Sequence, residues 1–275
     1  MDKELARELI SAGVHFGHAV SRWNPKMKPY IFGKRGMIHV IDVKETLKGL
    51  IVARKLVANI VASGKDVVFV GTKRQAQKSV QRAATACGMH YVSQRWLGGT
   101  LTNFRTIRSR VQRLEELEVM LADGRMEAES KKQGSRLKRE LKKITQNLNG
   151  IRKMSRLPGV VVVVDVRKEY IALREARKLG VVTIGLIDTD ANPDTVDVVI
   201  PGNDDSLKAI EIILDELALG CQEGKTMVKP EEGSPQPHHT RPHSRRRVLA
   251  SATDAEPADQ ETDASAEPTE AQTPQ

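Results

Sequence analysis

The sequence predicts an α/β fold: a three-layer domain with a mostly parallel sheet, interrupted near its middle by an inserted antiparallel coiled-coil helical hairpin. Three observations predict it. Short apolar runs such as Asp66-Val-Val-Phe-Val70 and Gly159-Val-Val-Val-Val-Val-Asp165 have the make-up of strands buried on both faces. Apolar residues at helical spacing follow such runs, and strands alternating with helices imply a parallel sheet covered on both sides. Between the two strand groups, Phe104, Ile107, Val111, Leu114, Leu117 and Leu121 recur at helical spacing, and Leu137, Leu141, Ile144, Leu148 and Ile151 alternate spacings of four and three. The second pattern is a narrow coiled-coil seam. The polar run from Asp123-Gly124 to Gly134 joins the two helices.

In chain order, residues 4–12 predict a short amphipathic helix with Leu5, Leu9 and Ile10 apolar. Residues 15–32 form an arm in which Pro25 and Pro29 deny a regular helix; it reads as a structured surface arm rather than a core element. Met37–Ile41 predicts a strand, residues 44–62 a helix stopped by Gly64, 66–70 a strand, and 74–86 a helix ended by Gly88. His90–Ser93 predicts an edge strand. Thr102 or Asn103 is the expected cap of the first hairpin helix. Beyond the hairpin come a strand at 159–165, a helix at 168–179 closed by Gly180, strands at 181–187 and 196–200, and a helix at 204–219 capped by Asp204 or Asp205. The organisation is therefore 1–102 as the first part of the α/β domain with its arm, 103–156 as hairpin, and 157–222 as the second part. Residues 223–275, rich in Pro, Ser, Thr, Glu and His, predict a disordered tail.

Charge is divided along the chain. Residues 1–222 hold 38 Lys and Arg against 25 Asp and Glu, whereas residues 248–275 hold seven acids and no Lys or Arg. A strongly basic folded part implies an anionic partner, nucleic acid first among them. Cys87 and Cys221 lie far apart with no CxxC spacing, which fits a reducing compartment. No apolar run reaches membrane-spanning length, and the start has no signal-peptide pattern. The expected location is the cytoplasm, with no membrane partner.

The arm holds four of the nine aromatic side chains, and Arg22, Lys26, Lys28 and Lys34 lie in or beside it. Cations there suit phosphates while rings stack on bases or pack the loop down. A second dense segment, 94–110, carries Arg95, Arg105, Arg108 and Arg110 around Gly98-Gly99. With Lys73 and Arg74 after the strand at 66–70, these make the candidate RNA contacts Arg22, Lys26, Lys28, Lys34, Lys73, Arg74, Arg95, Arg105 and Arg108. Lys and Arg crowd residues 131–143 as well, either as an RNA surface or as the solvated face of a projecting helix. Trp23, Tyr30, Trp96 and Phe104 are candidate anchors for arm and hairpin; stacking on a base and packing on protein both fit them.

His15 and His18 have the spacing of two metal ligands without a third or fourth in sequence reach. A structural zinc or magnesium is the metal reading; a packed or backbone-bonded histidine is the other, and no cofactor is expected. His39 reads as a hydrogen-bonded core group. No GxxxxGK[ST] loop, dinucleotide fingerprint or GxSxG motif is present. Asp165 and Asp188 fall at the carboxyl edge of the sheet, where they would hold magnesium in an RNA-processing or nucleotide-binding enzyme, cap turns, or pair with Arg167. An adaptor built on the hairpin is a third reading.

Several long stretches stand in order: Gly13-Val-His-Phe-Gly-His18, Trp23-Asn-Pro-Lys-Met-Lys-Pro-Tyr-Ile-Phe32, Ile38-His-Val-Ile-Asp42, Phe69-Val-Gly-Thr-Lys-Arg74, Arg95-Trp-Leu-Gly-Gly-Thr-Leu-Thr-Asn-Phe104, Asp188-Thr-Asp-Ala-Asn-Pro193 and Ile200-Pro-Gly-Asn-Asp-Asp-Ser206. Through them the chain, over roughly residues 3–220, resembles the bacterial form of the family of second proteins of the small ribosomal subunit. The resemblance implies a flavodoxin-like sheet with a protruding coiled-coil hairpin, and a non-catalytic place in the ribosome. The partners it implies are 16S ribosomal RNA and neighbouring subunit proteins, the messenger-capturing first protein included, with no autonomous homo-oligomer. The family pattern has Asp-Thr-Asn where this chain has Asp188-Thr-Asp190.

Overall fold

The computed structural model describes residues 2–125 and 130–227. The tail beyond 227, expected to be disordered, lies outside the described residues.

Five parallel strands make the main sheet. They are β4 (Val67–Val70), β5 (His90–Val92), β6 (Val160–Val164), β7 (Val182–Ile187) and β8 (Val198–Pro201), in the order β5-β4-β6-β7-β8. Chain order thus reverses once, beside β4, and β5 is an edge. Side chains along a strand alternate faces, and β6 shows why an unbroken apolar run was needed. Val160, Val162 and Val164 enter one core, whereas Val161 and Val163 enter the other.

The first core is covered by α1 (Asp2–Ser11), α2 (Val43–Ala62), α3 (Gln77–Cys87) and α7 (Leu207–Met227). Helices α2 and α7 approach closely because Gly220 and Gly224 of α7 lie against Arg54 and Ala58 of α2. Gly49 does the same for α2 against β8, where an added methyl would overlap the Val199 carbonyl oxygen. Gly49→Ala is expected to cost about 1–3 kcal/mol through overpacking, read as a Tm lowered by several degrees in a thermal melt; an unchanged Tm would mean that the strand gives way freely. Helix α7 runs five residues beyond the expected end of the fold at 222, its last buried side being Cys221 and Gly224. Its cap also differs from expectation: Ser206 Oγ accepts from Ala209 N at 3.4 Å, because Asp204 is engaged elsewhere.

The second core is covered by α6 (Tyr170–Lys178), the 95–104 loop, the start of α4 (Phe104–Ala122) and the end of α5 (Lys131–Leu148). Arg108 in α4 donates to the carbonyl of Met154 beyond α5 at 3.2 Å, and Arg113 lies 3.7 Å from Glu140. Asn103 stands at the start of α4 without capping a backbone N–H; its Oδ1 accepts the Thr106 hydroxyl instead.

The strand expected at 37–41 is present, and two further strands that the sequence does not predict, at 16–19 and 31–35, pair with it. β1 (Phe16–Ala19), β2 (Ile31–Arg35) and β3 (Ile38–Ile41) form an antiparallel sheet in the order β1-β3-β2. Between β1 and β2 the chain makes two 3-10 turns, the second, Pro25–Tyr30, started by the Asn24 carboxamide accepting from Lys26 N. Met27 in that turn is fully buried in the second core, so the arm is clamped to the domain rather than merely laid on its surface. His39 is buried against Trp23, ring centroids 5.2 Å apart. Neither of its ring nitrogens has a hydrogen-bond partner among the described residues, contrary to the expected hydrogen-bonded histidine. Its strand register turns it inward with Ile41, where ring packing replaces polar contacts.

Candidate nucleic-acid interface

In open α/β sheets, ligands bind beyond the carboxyl ends of the strands where chain order reverses. Here that edge is filled by the chain's own groups. Lys73 follows β4, Asp165 follows β6, Asp188 follows β7, and Asp204 follows β8. The Lys73 ammonium lies 2.8 Å from Asp204, 2.6 Å from Asp205 and 3.9 Å from Asp165. Burial opposes the charge on Lys73, but its hydrogen bonds to Asp204 and Asp205 outweigh burial and raise its pKa. Asp204 is only 3% exposed. Burial, together with repulsion from Asp165 and Asp188, lifts its pKa to about 7 despite the bond to Lys73.

His18, from β1, enters the same cluster. Its Nδ1 is 2.8 Å from Asp188 Oδ2, and its backbone N–H donates to Asp188 and Thr189. The Nδ1–Oδ2 contact lacks hydrogen-bond geometry and acts as a charge pair; this pairing with Asp188 outweighs burial and pushes the His18 pKa up to about 9, which favours the protonated ring at neutral pH. His18, Asp188 and Asp204 bring one ligand atom each within 4.8 Å of the others, a spacing that suits a divalent ion. In this structure Lys73 and protonated His18 supply the compensating charge. His15, the other half of the expected ligand pair, is outside this group; its ring packs on Phe16 at 4.1 Å. Asp165, at φ 69°, caps its own turn by accepting from Arg167 N and Lys168 N. Both acids of the enzyme reading are thus engaged within the fold.

The 95–104 segment is organised by an acid the sequence reading passed over. Glu175, on α6 and 8% exposed, accepts from Gly99 N at 2.7 Å, Leu101 N at 3.0 Å and Thr102 N at 3.1 Å. The Trp96 indole N–H and the Thr102 hydroxyl donate to it as well. Burial raises its pKa, but the donors prevail and hold it below the usual carboxylate range. Gly99, at φ +90°, permits the backbone turn that aims these N–H groups inward. Glu169 ties the loop after β4 to α6 by accepting from Thr72 N at 2.9 Å. Either glutamate reads in sequence as an ordinary surface charge; the only local hint is their position on the apolar side of the 168–179 helical pattern.

Trp96 is buried, and Trp23, Tyr30 and Phe104 are half-buried, Tyr30 and Phe104 packing on the second core. Among the candidate RNA contacts, Arg22, Lys28, Lys34, Arg74, Arg95 and Arg105 are exposed and make no hydrogen bond or ion pair through their side chains among the described residues. Lys26 is exposed but paired with Asp194. Arg108 is spent on the Arg152 and Met154 carbonyls, and Lys73 on the acids described above. Elsewhere arginines are consumed: Arg54 by Glu216 and Glu223, and Arg82 by Glu211 and Asp215.

The family model for "Ribosomal protein S2" matches residues 9–224, which takes in the arm, both cores and nearly all of α7. This chain belongs to the ribosomal protein S2 family. It is 53% identical over 231 residues to the small ribosomal subunit protein uS2 of Rhodopirellula baltica, covering 84% of this chain and 89% of that one. It is 47% identical over 227 residues to the protein of the same name from Desulfovibrio desulfuricans, covering 82% and 88%. The Koribacter versatilis protein of that name is 50% identical over 221 residues, covering 80% and 73%. Against the S2 pattern noted above, Asp190 replaces an amide, and here its carboxylate pairs with Arg167.

Proposed function

We propose that this chain is a structural constituent of the small ribosomal subunit, binding 16S ribosomal RNA and neighbouring subunit proteins in support of translation. Membership of the ribosomal protein S2 family carries this reading. It is not an enzyme, and its place is in the ribosome, in the cytoplasm. Among the described residues no helix is long and apolar enough to cross a membrane.

The finer parts of the reading have their own support. The single reversal of strand order beside β4 supports a flavodoxin-like domain made of 1–102 and 157–222. The Arg108 and Arg113 contacts between α4 and the α5 region support an antiparallel coiled-coil hairpin at 103–156. The unpaired Arg22, Lys28, Lys34, Arg74, Arg95 and Arg105 are the residues we assign to RNA phosphates. An apolar groove of about 400 Å³ beside α1 is lined by Ile10, His15, Phe32, Val40 and Leu47, with Phe32 79% exposed. It supports contact with a neighbouring protein, the messenger-capturing first protein included.

Sedimentation of tagged protein from lysate on sucrose gradients tests the reading. Co-migration with small subunits at low salt, weakening as salt rises and lost on ribonuclease digestion, is the expected result. Protein that stays at the top of the gradient at low salt would refute it.

A further inference from the structure

The segment Arg167–Lys178 holds five Lys and Arg against two Glu, with the signs interleaved along the sequence. Folding separates the signs. Both glutamates turn inward and are consumed, Glu169 by Thr72 and Glu175 by the 96–102 loop. The cations of α6 turn outward: Arg174, Arg177 and Lys178 are all exposed. Arg174 and Lys178 make no hydrogen bond or ion pair among the described residues, and Arg177 donates only to the Asp194 carbonyl. Arg174 and Lys178 stand one turn apart, about 6 Å along the axis, and Tyr170, 54% exposed, lies one turn before Arg174. Arg174, Arg177 and Lys178, with Thr102, Ile171 and Glu175, line an open groove of about 560 Å³ between α6 and the glycine loop, and the Glu175 carboxylate there is already taken by the N–H groups of that loop.

One groove residue, Arg177, is also linked to the arm through Asp194. Asp194, whose carbonyl takes Arg177, receives the Lys26 ammonium on its carboxylate. Met27, Trp96, Leu101, Leu173 and Ala176 share the second core beneath. The helix that carries the cations is therefore fixed to the core, and only the side chains themselves are ordered on binding.

We propose that the groove between α6 and the 98–102 loop is a phosphodiester-binding site, through which Arg174 and Lys178 grip the backbone of an RNA strand. Multiple exposed cations without acid partners, beside an exposed ring and a glycine loop, fit a polyanion with stackable bases. The inference rests on the ribosomal reading above and adds a surface that reading did not assign.

The test compares the full-length protein with R174A/K178A and with K78A/K208A. The control pair is exposed on α3 and α7, on the opposite side of the sheet, has no partner among the described residues, and removes the same charge. Each is rebound to small subunits stripped of this protein, across a salt series, with thermal melts confirming the fold. Each lost phosphate contact lowers the slope of log K against log salt by about 0.7–0.9. R174A/K178A should therefore be shallower by roughly 1.4–1.8, with K78A/K208A unchanged. Equal slopes for wild type and R174A/K178A, or an equal drop for the control pair, overturn the inference while leaving the ribosomal reading intact. Wild type that fails to bind subunits at all overturns both. A difference between variants that survives ribonuclease digestion would assign the groove to an acidic protein and refute the RNA site.

Discussion

Glu175→Ala is expected to destabilise the free protein by about 3–5 kcal/mol, the range for removing one side of a buried charged network. For a domain of this size that is a fall in Tm of roughly 6–20 °C. The magnitude follows from what is left behind. Three backbone N–H groups and the Trp96 indole lose their acceptor, the indole and the Leu101 N–H in buried positions. The loop they hold carries Arg95 and leads into α4 with Arg105, so loss of RNA affinity should accompany the loss of stability. The effect has a defined pH dependence. Glu175 is held below its unfolded value of 4.5. Its contribution is complete above that value and is lost as pH falls through the lower, folded pKa. A wild-type Tm should therefore drop on acidification with a component that Glu175→Gln lacks. Parallel Tm-against-pH curves for the two proteins, or a Glu175→Ala variant as stable as wild type, would count against the carboxylate as organiser of the loop.

The contrast between what was legible and what was not follows from the range of the forces involved. Gly64, Gly88 and Gly180 were readable as helix stops because the positive φ they adopt, 75°, 62° and 67°, is a local property of glycine. The five valines of β6 were readable because burial on both faces requires an unbroken apolar run. β1 and β2 were not, since Phe-Gly-His-Ala and Ile-Phe-Gly-Lys-Arg show no clean alternation, and their pairing with β3 is broken by register shifts. Charge was legible as composition but not as partnership. Lys73 and Arg74 are adjacent and look equivalent, yet Asp204 is 131 residues away from Lys73 and only the fold brings it there. The outward cations of α6 are hard to read for the same reason, because the inward turn of Glu169 and Glu175 is signalled only by their place on the apolar side of the helical pattern, and their partners lie 97 and 74 residues away.

Lys73 and Arg74 therefore separate into two experiments. Lys73→Met is expected to cost the free protein about 3 kcal/mol or more, because it strands acids that are buried together. Asp204 and Asp188 are 3% and 2% exposed, and Lys73 is the cation bonded to Asp204. The penalty should shrink on acidification. Burial already raises the Asp204 pKa well above its unfolded value, and without Lys73 the folded state favours the protonated acid still more strongly. A carboxyl whose folded pKa is raised costs stability as pH climbs from its unfolded value through its folded one, so the gap between wild type and Lys73→Met should narrow as pH drops from about 8 to about 5. Arg74→Ala, at an exposed site with no partner among the described residues, should leave the melt unchanged and lower only the salt resistance of subunit binding. The opposite assignment, in which Lys73 is a phosphate contact, predicts an unaltered melt for Lys73→Met and a binding loss like that of Arg74→Ala. Denaturant unfolding of both variants at pH 5 and pH 8, beside their salt-dependent retention on small subunits, decides between the two. The decision bears on how the protein meets RNA, because a Lys73 held by acids braces the sheet edge and leaves the phosphate contacts to the exposed cations around it.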